Sequence, residues 1–179
     1  AKRVIPMHAP SRRMRLWCAA AATGEEPYTI ALTFARTLSD FQSWDIALLA
    51  TDISNKALGA MRRGEYSEEC IASLSAADRV LALEKSRNAP GLYSVRDALR
   101  RIIHPARLNL MEAWPMQGPF DVIFCRNVMI YFDRETRERL VNRLAALLAP
   151  GGTLYVGHSE TLGDIEHPLK NHGSAIYTR

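Results

Sequence analysis

The sequence predicts an α/β fold: a mostly parallel sheet with helices on both faces and a small inserted subdomain. Three observations carry that expectation. Short apolar runs, such as 46–50 and 122–125, have the length and near-continuous hydrophobicity of strands buried on both faces. Between the runs, apolar residues recur at helical spacing, as in Leu140, Val141, Leu144, Leu147 and Leu148. The runs end in polar residues, Thr51-Asp52 and Arg126-Asn127, where an open α/β sheet holds its ligands.

Element by element, residues 1–14 hold two prolines and several bases without periodicity, and read as a linker or as the remnant of an upstream helical domain. Residues 16–20 form a first strand. Pro27 suits the first turn of a helix running through Ile30, Leu32, Phe34 and Leu38. A second strand at 46–50 follows, and Ser54 then caps a helix that contains Leu58 and Met61 and ends near Gly64. In the insertion, around 67–105, Ser75 caps a helix over 76–83, Asn88-Ala89-Pro90-Gly91 signals a turn, and 92–95 forms one arm of a hairpin. After the strand at 122–125, Asp133 caps a long helix that Pro150-Gly151-Gly152 stops, and 153–156 and 175–178 supply the last strands. The main domain is expected to run over 15–179.

A chain of 179 residues can bury a proper core as one domain, and its 47% apolar and 23% charged content is ordinary for a globular protein. Cys18, Cys70 and Cys125 are an odd set without metal-ligand spacing, so neither a disulfide framework nor a metal site is expected, and a reducing, cytoplasmic compartment is. No apolar run approaches the roughly 20 residues that cross a bilayer. The net charge of +4 reflects clusters such as Arg12, Arg13, Arg15 and Arg100, Arg101, Arg107. These read either as a solvated basic face or as attraction to an acidic protein. Nucleic acid is disfavoured because no aromatic residues interleave the bases.

The loop after the first strand, Ala19-Ala20-Ala21-Ala22-Thr23-Gly24, supplies the small residues that let a backbone approach a ligand, though it lacks the glycine spacing of a dinucleotide fingerprint. Glu25 and Glu26 at the following helix start would repel phosphate. They suit a ligand with a cationic amino group, or simply complement the helix dipole. Asp52 at the end of the second strand is placed to accept ribose hydroxyls, its alternative being a helix cap. Arg126 offers a planar fork of donors suited to a carboxylate, its alternative being an ion pair with Asp121 or Glu160. Tyr131 could hold a ligand oxygen or be an amphipathic core residue. Cys125 reads as packing.

In order along the chain, Trp17 with Thr23-Gly24-Glu25-Glu26-Pro27-Tyr28, then Ala50-Thr51-Asp52-Ile53, Gly64-Glu65-Tyr66 and Asn109-Leu110 resemble the CheR-type chemotaxis receptor glutamate O-methyltransferases. Phe124-Cys125-Arg126-Asn127-Val128-Met129-Ile130-Tyr131-Phe132, Pro150-Gly151-Gly152 and Gly157-His158-Ser159-Glu160 complete the series. The resemblance implies a Rossmann-like class I methyltransferase fold with S-adenosyl-L-methionine as cofactor and S-adenosyl-L-homocysteine as product. It implies cofactor contacts from Glu26, Asp52, Asn109, Leu110, Arg126 and Asn127, with Arg126 and Tyr131 serving the acceptor. The acceptor would be glutamates on the cytoplasmic helices of methyl-accepting chemotaxis receptors, and the enzyme a monomer. Such a glutamate is already ionised at neutral pH, so His158 is not expected to act as a base. Other readings are a catalytically idle cofactor sensor, or a methyltransferase for another acceptor.

The resemblance also marks two departures. Family members usually begin with a small helical domain and a Thr-x-Phe-Phe-Arg segment that contacts cofactor and acceptor. This sequence begins after that point, which implies a cofactor-binding core that turns over poorly by itself. The family's antiparallel β-subdomain docks a receptor peptide in some members. Here 81–103 offers only the turn at 88–91, so no such tether is expected.

Overall fold

A computed structural model describes residues 4–87, 89–173 and 175–179 of the protein. Residues 1–3 of the expected linker and Asn88 of the expected turn lie outside the described residues. The chain runs through helix α1 (Val4–His8), strand β1 (Arg13–Ala19), α2 (Glu25–Thr37), β2 (Asp45–Asp52) and α3 (Asn55–Arg63). It continues through β3 (Glu65–Ser67), α4 (Ala76–Ala82), β4 (Leu83–Lys85), β5 (Leu92–Val95), α5 (Asp97–Arg100) and β6 (Ile103–Arg107). β7 (Phe120–Cys125), α6 (Arg134–Leu147), β8 (Leu148–Val156), β9 (Lys170–Asn171) and β10 (Ile176–Thr178) complete it.

Among the described residues the main sheet has the order β6-β2-β1-β7-β8-β10-β9. The first five of these strands are parallel to one another, and β10 runs antiparallel to β8. β1 shows how the alternation of a strand serves two layers. Met14, Leu16 and Cys18 join the core under α2 and α3, while Trp17 and Ala19 point to the other face and pack with Leu140, Val141 and Leu144 of α6. Both faces are therefore covered, which is why β1, β2 and β7 carry near-continuous apolar runs over 16–19, 46–50 and 122–125.

The helix boundaries follow their caps. The Ser54 and Ser75 hydroxyls accept from the N–H groups of Ala57 (3.2 Å) and Asp78 (3.1 Å), and the Asp133 carboxylate accepts from Thr136 (2.8 Å). Each satisfies a donor that the first helical turn leaves unpaired, a contribution of about 1 kcal/mol for such a hydroxyl cap. Gly64 ends α3 in the left-handed conformation.

Five expectations are corrected. Of the two readings of the segment before residue 15, the linker does not hold: α1 buries Val4, and β1 begins at Arg13 with Met14 in the core. The bases there are matched by acids, since Arg12 pairs with Asp40, and Arg13 and Arg15 with Asp45. The helix expected over 76–83 stops at Ala82, because Leu83 opens β4. The long helix stops at Leu147, not at Pro150: Leu148 already pairs with Phe120, and Pro150-Gly151-Gly152 forms an irregularity inside β8. The last strand spans Ile176–Thr178, leaving Ala175, at φ 65°, outside it. Finally, the insertion is more than a turn, because β3, β5 and β4 form a separate antiparallel sheet in that order. β6 carries Pro105 at its centre and escaped detection for that reason. It lies at the edge of the sheet, where a missing donor is tolerated. Among the described residues no helix is long and apolar enough to cross a membrane.

Candidate active site

The carboxyl ends of β1, β2, β6, β7 and β8 share one rim of the sheet, and the residues singled out from the sequence stand on the loops that leave it. The loop after β1 is wound tightly, with Ala20, Ala22 and Gly24 all in left-handed conformations at φ 61°, 46° and 105°. It is held from several sides. Ala21 N–H donates to the Thr51 carbonyl (2.8 Å), Ala22 N–H to Asp52 Oδ2 (2.9 Å), and the Tyr66 hydroxyl to the Thr23 carbonyl (2.9 Å). Gly24 is required: a Cβ there would lie 2.7 Å from Met61 Cγ and 2.8 Å from the Tyr66 hydroxyl. Underneath, Trp17 is fully buried, donates from Nε1 to the Thr51 hydroxyl (2.9 Å) and meets Trp114 edge-on.

Asp52 closes β2 with each carboxylate oxygen accepting one backbone N–H, Oδ2 from Ala22 and Oδ1 from Ser54 (2.8 Å). Since a carboxylate offers about four lone-pair positions, acceptor capacity remains on both oxygens. The cap of α3 comes from Ser54, so the Asp52 side chain is not consumed in capping that helix.

Glu26, in the first turn of α2, and Arg126, just beyond β7, are brought together across 100 residues of sequence, with Arg126 Nη1 to Glu26 Oε1 at 2.5 Å. Both side chains keep contact with solvent, so screening holds the pair to about 1 kcal/mol as a stabilising contact. The ion pair considered for Arg126 thus exists with a different partner. Asp121 instead accepts the Arg15 N–H, and Glu160 is engaged elsewhere. The Cys18 thiol donates to Glu26 Oε2 (3.2 Å). Burial first, and then the Glu26 charge, push that thiol well above its ordinary pKa, so it stays protonated and able to donate. Cys125 is also raised, mainly by burial, in keeping with packing.

The remaining candidates are placed less directly. Asn109 follows β6, but its amide closes a local turn, Nδ2 donating to Glu112 Oε1 (3.0 Å) and Oδ1 accepting Met111 N–H (3.0 Å). Leu110 is buried in the α6-side core. Ile53 and Met111, 56% and 42% exposed, are the apolar side chains that stand outward on those loops. Asn127 is left-handed at φ 58°, which asparagine tolerates better than most residues. Tyr131 ends a single 3-10 turn at Met129–Tyr131 and is 78% exposed, so it is on the same loop as Arg126 but not in the core. His158 is exposed as well.

Glu160, read from the sequence as an alternative partner of Arg126 and as the end of the Gly157–Glu160 motif, was not among the candidate site residues. Glu160 is 6% exposed and accepts N–H groups from Asn127 (2.8 Å), Val128 (2.9 Å), Met129 (2.8 Å) and Gly157 (2.6 Å). Its signal in the sequence was the Gly157-His158-Ser159-Glu160 motif after a strand.

Residues 1–178 match the family model described as CheR methyltransferase, SAM binding domain. The chain belongs to that family. It is 42% identical over 167 residues to a probable chemotaxis protein methyltransferase of Rhizobium etli, covering 92% of this chain and 62% of the relative. It is 39% identical over 181 residues to chemotaxis protein methyltransferase 2 of Pseudomonas aeruginosa (99% and 63%), and 39% identical over 170 residues to the chemotaxis protein methyltransferase of Escherichia coli (93% and 59%). The chain thus spans about three fifths of the length of these CheR relatives.

The cofactor of this CheR domain is S-adenosylmethionine, and the donor set fits it. The Glu26–Arg126 pair presents an acid and a base to a ligand whose amino-acid end carries an ammonium and a carboxylate. Asp52 retains lone pairs on both oxygens for hydroxyls. The two glutamates at the start of α2 disfavour a phosphate there.

Proposed function

We propose that this domain transfers a methyl group to glutamate side chains of chemotaxis receptors, in the cytoplasm, forming glutamyl methyl esters. The observation that carries this reading is the pair between Glu26, in the first turn of α2, and Arg126, just beyond β7, in a CheR-family domain whose relatives are named chemotaxis protein methyltransferases. Glu26 binds the ammonium of the cofactor. Asp52 accepts from its ribose hydroxyls, Asn127 and the 109–110 segment border the adenosine, and Arg126 holds a carboxylate by its planar fork. When bound, S-adenosylmethionine supplies an electrophilic methyl group on a positively charged sulfur. The acceptor glutamate is ionised at neutral pH, so no side chain need remove a proton. The work left to the protein is alignment and exclusion of water, and Arg126 with Tyr131 on one loop supply the alignment. The main subdivision we propose is a methyltransferase domain carrying the β3–β5 insertion.

The test is transfer of labelled methyl from S-adenosylmethionine to receptor cytoplasmic fragments, followed by mild base. Release of the label as methanol is expected, since esters hydrolyse. Label that survives base would place the methyl on nitrogen or in an ether and overturn the acceptor assignment. Cofactor binding without any transfer would favour an idle sensor.

A further inference from the structure

We infer that Glu160 is a positioning residue for the proposed methyl transfer, latching the loop that carries Arg126, Asn127 and Tyr131 to the end of β8. This rests on the reaction proposed above, although the latch itself is a matter of geometry. β7 and β8 are parallel neighbours, with Cys125 opposite Val156, so the loops leaving them start side by side. Nothing in the ladder controls the backbone beyond those residues. The Glu160 side chain does. Oε1 accepts from Val128 and Met129, and Oε2 from Asn127 and Gly157. A carboxylate has about four lone-pair positions, and here each faces a backbone donor. Three of these N–H groups, those of Asn127, Val128 and Met129, belong to a single 3-10 turn and its lead-in, too short to satisfy them internally, and the fourth follows β8.

Two local features exist to admit the carboxylate. Glu160 N–H donates to the Gly157 carbonyl (2.9 Å), closing a turn that folds the side chain back over its own loop. Gly157 leaves the room, because a Cβ there would fall 2.5 Å from Glu160 Oε2 and 3.2 Å from Asn127 N. The consequence reaches the chemistry through Asn127. Its N–H is fixed by Oε2 while its backbone holds the left-handed conformation, and that conformation sets the direction in which the chain passes from Arg126 to Tyr131. Glutamine has nearly the same shape but a single acceptor oxygen, and its NH2 would meet two N–H donors head-on. The charge and symmetry of the carboxylate, rather than its bulk, make the latch.

The test is Glu160→Gln in the full-length gene product, with three measurements. Amide hydrogen exchange should accelerate at Asn127, Val128, Met129 and Gly157 while amides of β1 and β2 keep their protection. S-adenosylhomocysteine affinity should weaken severalfold by calorimetry. At saturating cofactor, kcat should fall about ten- to a hundredfold with a smaller change in the acceptor KM, as misalignment of this scale produces. A residue that merely supports the fold would leave the kcat of the folded protein unaltered. Parental kcat in a folded variant, or unchanged exchange at those four amides, overturns the proposal. If Glu160→Gln fails to fold, Gly157→Ala displaces the same carboxylate and is judged by the same readouts. The exchange and cofactor arms need no acceptor, so they decide the latch even where the receptor-glutamate reading itself fails.

Discussion

Replacing Asp52 by asparagine tests the ribose assignment with almost no change of shape. Both carboxylate oxygens hold a backbone N–H, from Ala22 at 2.9 Å and Ser54 at 2.8 Å, and both keep capacity for one more donor. An amide has one acceptor oxygen, so Asp52→Asn surrenders one backbone bond and one of two positions that could accept a ribose hydroxyl. A hydrogen bond to a charged group contributes about 1.5–3 kcal/mol, and the partial exposure of Asp52 argues for the lower end. A loss near 1.4 kcal/mol is tenfold in a dissociation constant, so the Kd for S-adenosylhomocysteine should rise about tenfold. The lost backbone bond should lower the melting temperature by roughly 2–4 °C for about 1 kcal/mol at this chain length. Calorimetric titration with S-adenosylhomocysteine and with its 2′,3′-dideoxy analogue completes a double-mutant cycle. The substitution should weaken the first ligand and leave the second nearly unaffected. Equal affinity of parent and variant for S-adenosylhomocysteine, with the fold intact, would refute the assignment. An equal loss for both ligands would locate the effect in the 20–24 loop instead.

Two further outcomes are expected. Trp17→Phe leaves the Thr51 hydroxyl, 1% exposed, without its donor. Denaturant unfolding should show a loss of about 1–3 kcal/mol from that hydroxyl alone, and an unchanged midpoint would contradict the buried hydrogen bond. Thiol titration should count one reactive cysteine in the native protein and three in denaturant, because Cys70 is exposed while Cys18 and Cys125 are buried. Their thiols are raised by burial, so the thiolate form is present only at still higher pH and mild alkalinity should not recruit them. Rapid native labelling of more than one thiol would refute this.

Wherever the governing interactions are local, the amino-acid sequence by itself determined this protein. Hydroxyl and carboxylate caps at Ser54, Ser75 and Asp133, the left-handed Gly64, and the unbroken apolar runs of β1, β2 and β7 act within a few residues, and all of them are legible without coordinates. The ends of those runs likewise place Asp52 and Arg126 at one rim of the sheet, because strand ends in a parallel sheet face the same side. Elements whose stability comes from partners distant in sequence were not legible. β6 has a proline at its centre and exists as a strand because β2 pairs with it at the edge of the sheet. Leu148 left its helix for a strand because Phe120 was available to pair. The site divides in the same way. That Arg126 would find Glu26, that Cys18 would donate to the same carboxylate, and that Glu160 would gather four N–H groups from two loops all depend on which strands lie side by side. Only the tertiary structure decides that, because electrostatic and hydrogen-bond partners are chosen by distance in space, and helix-long crossovers separate neighbours in this sheet by tens of residues of chain.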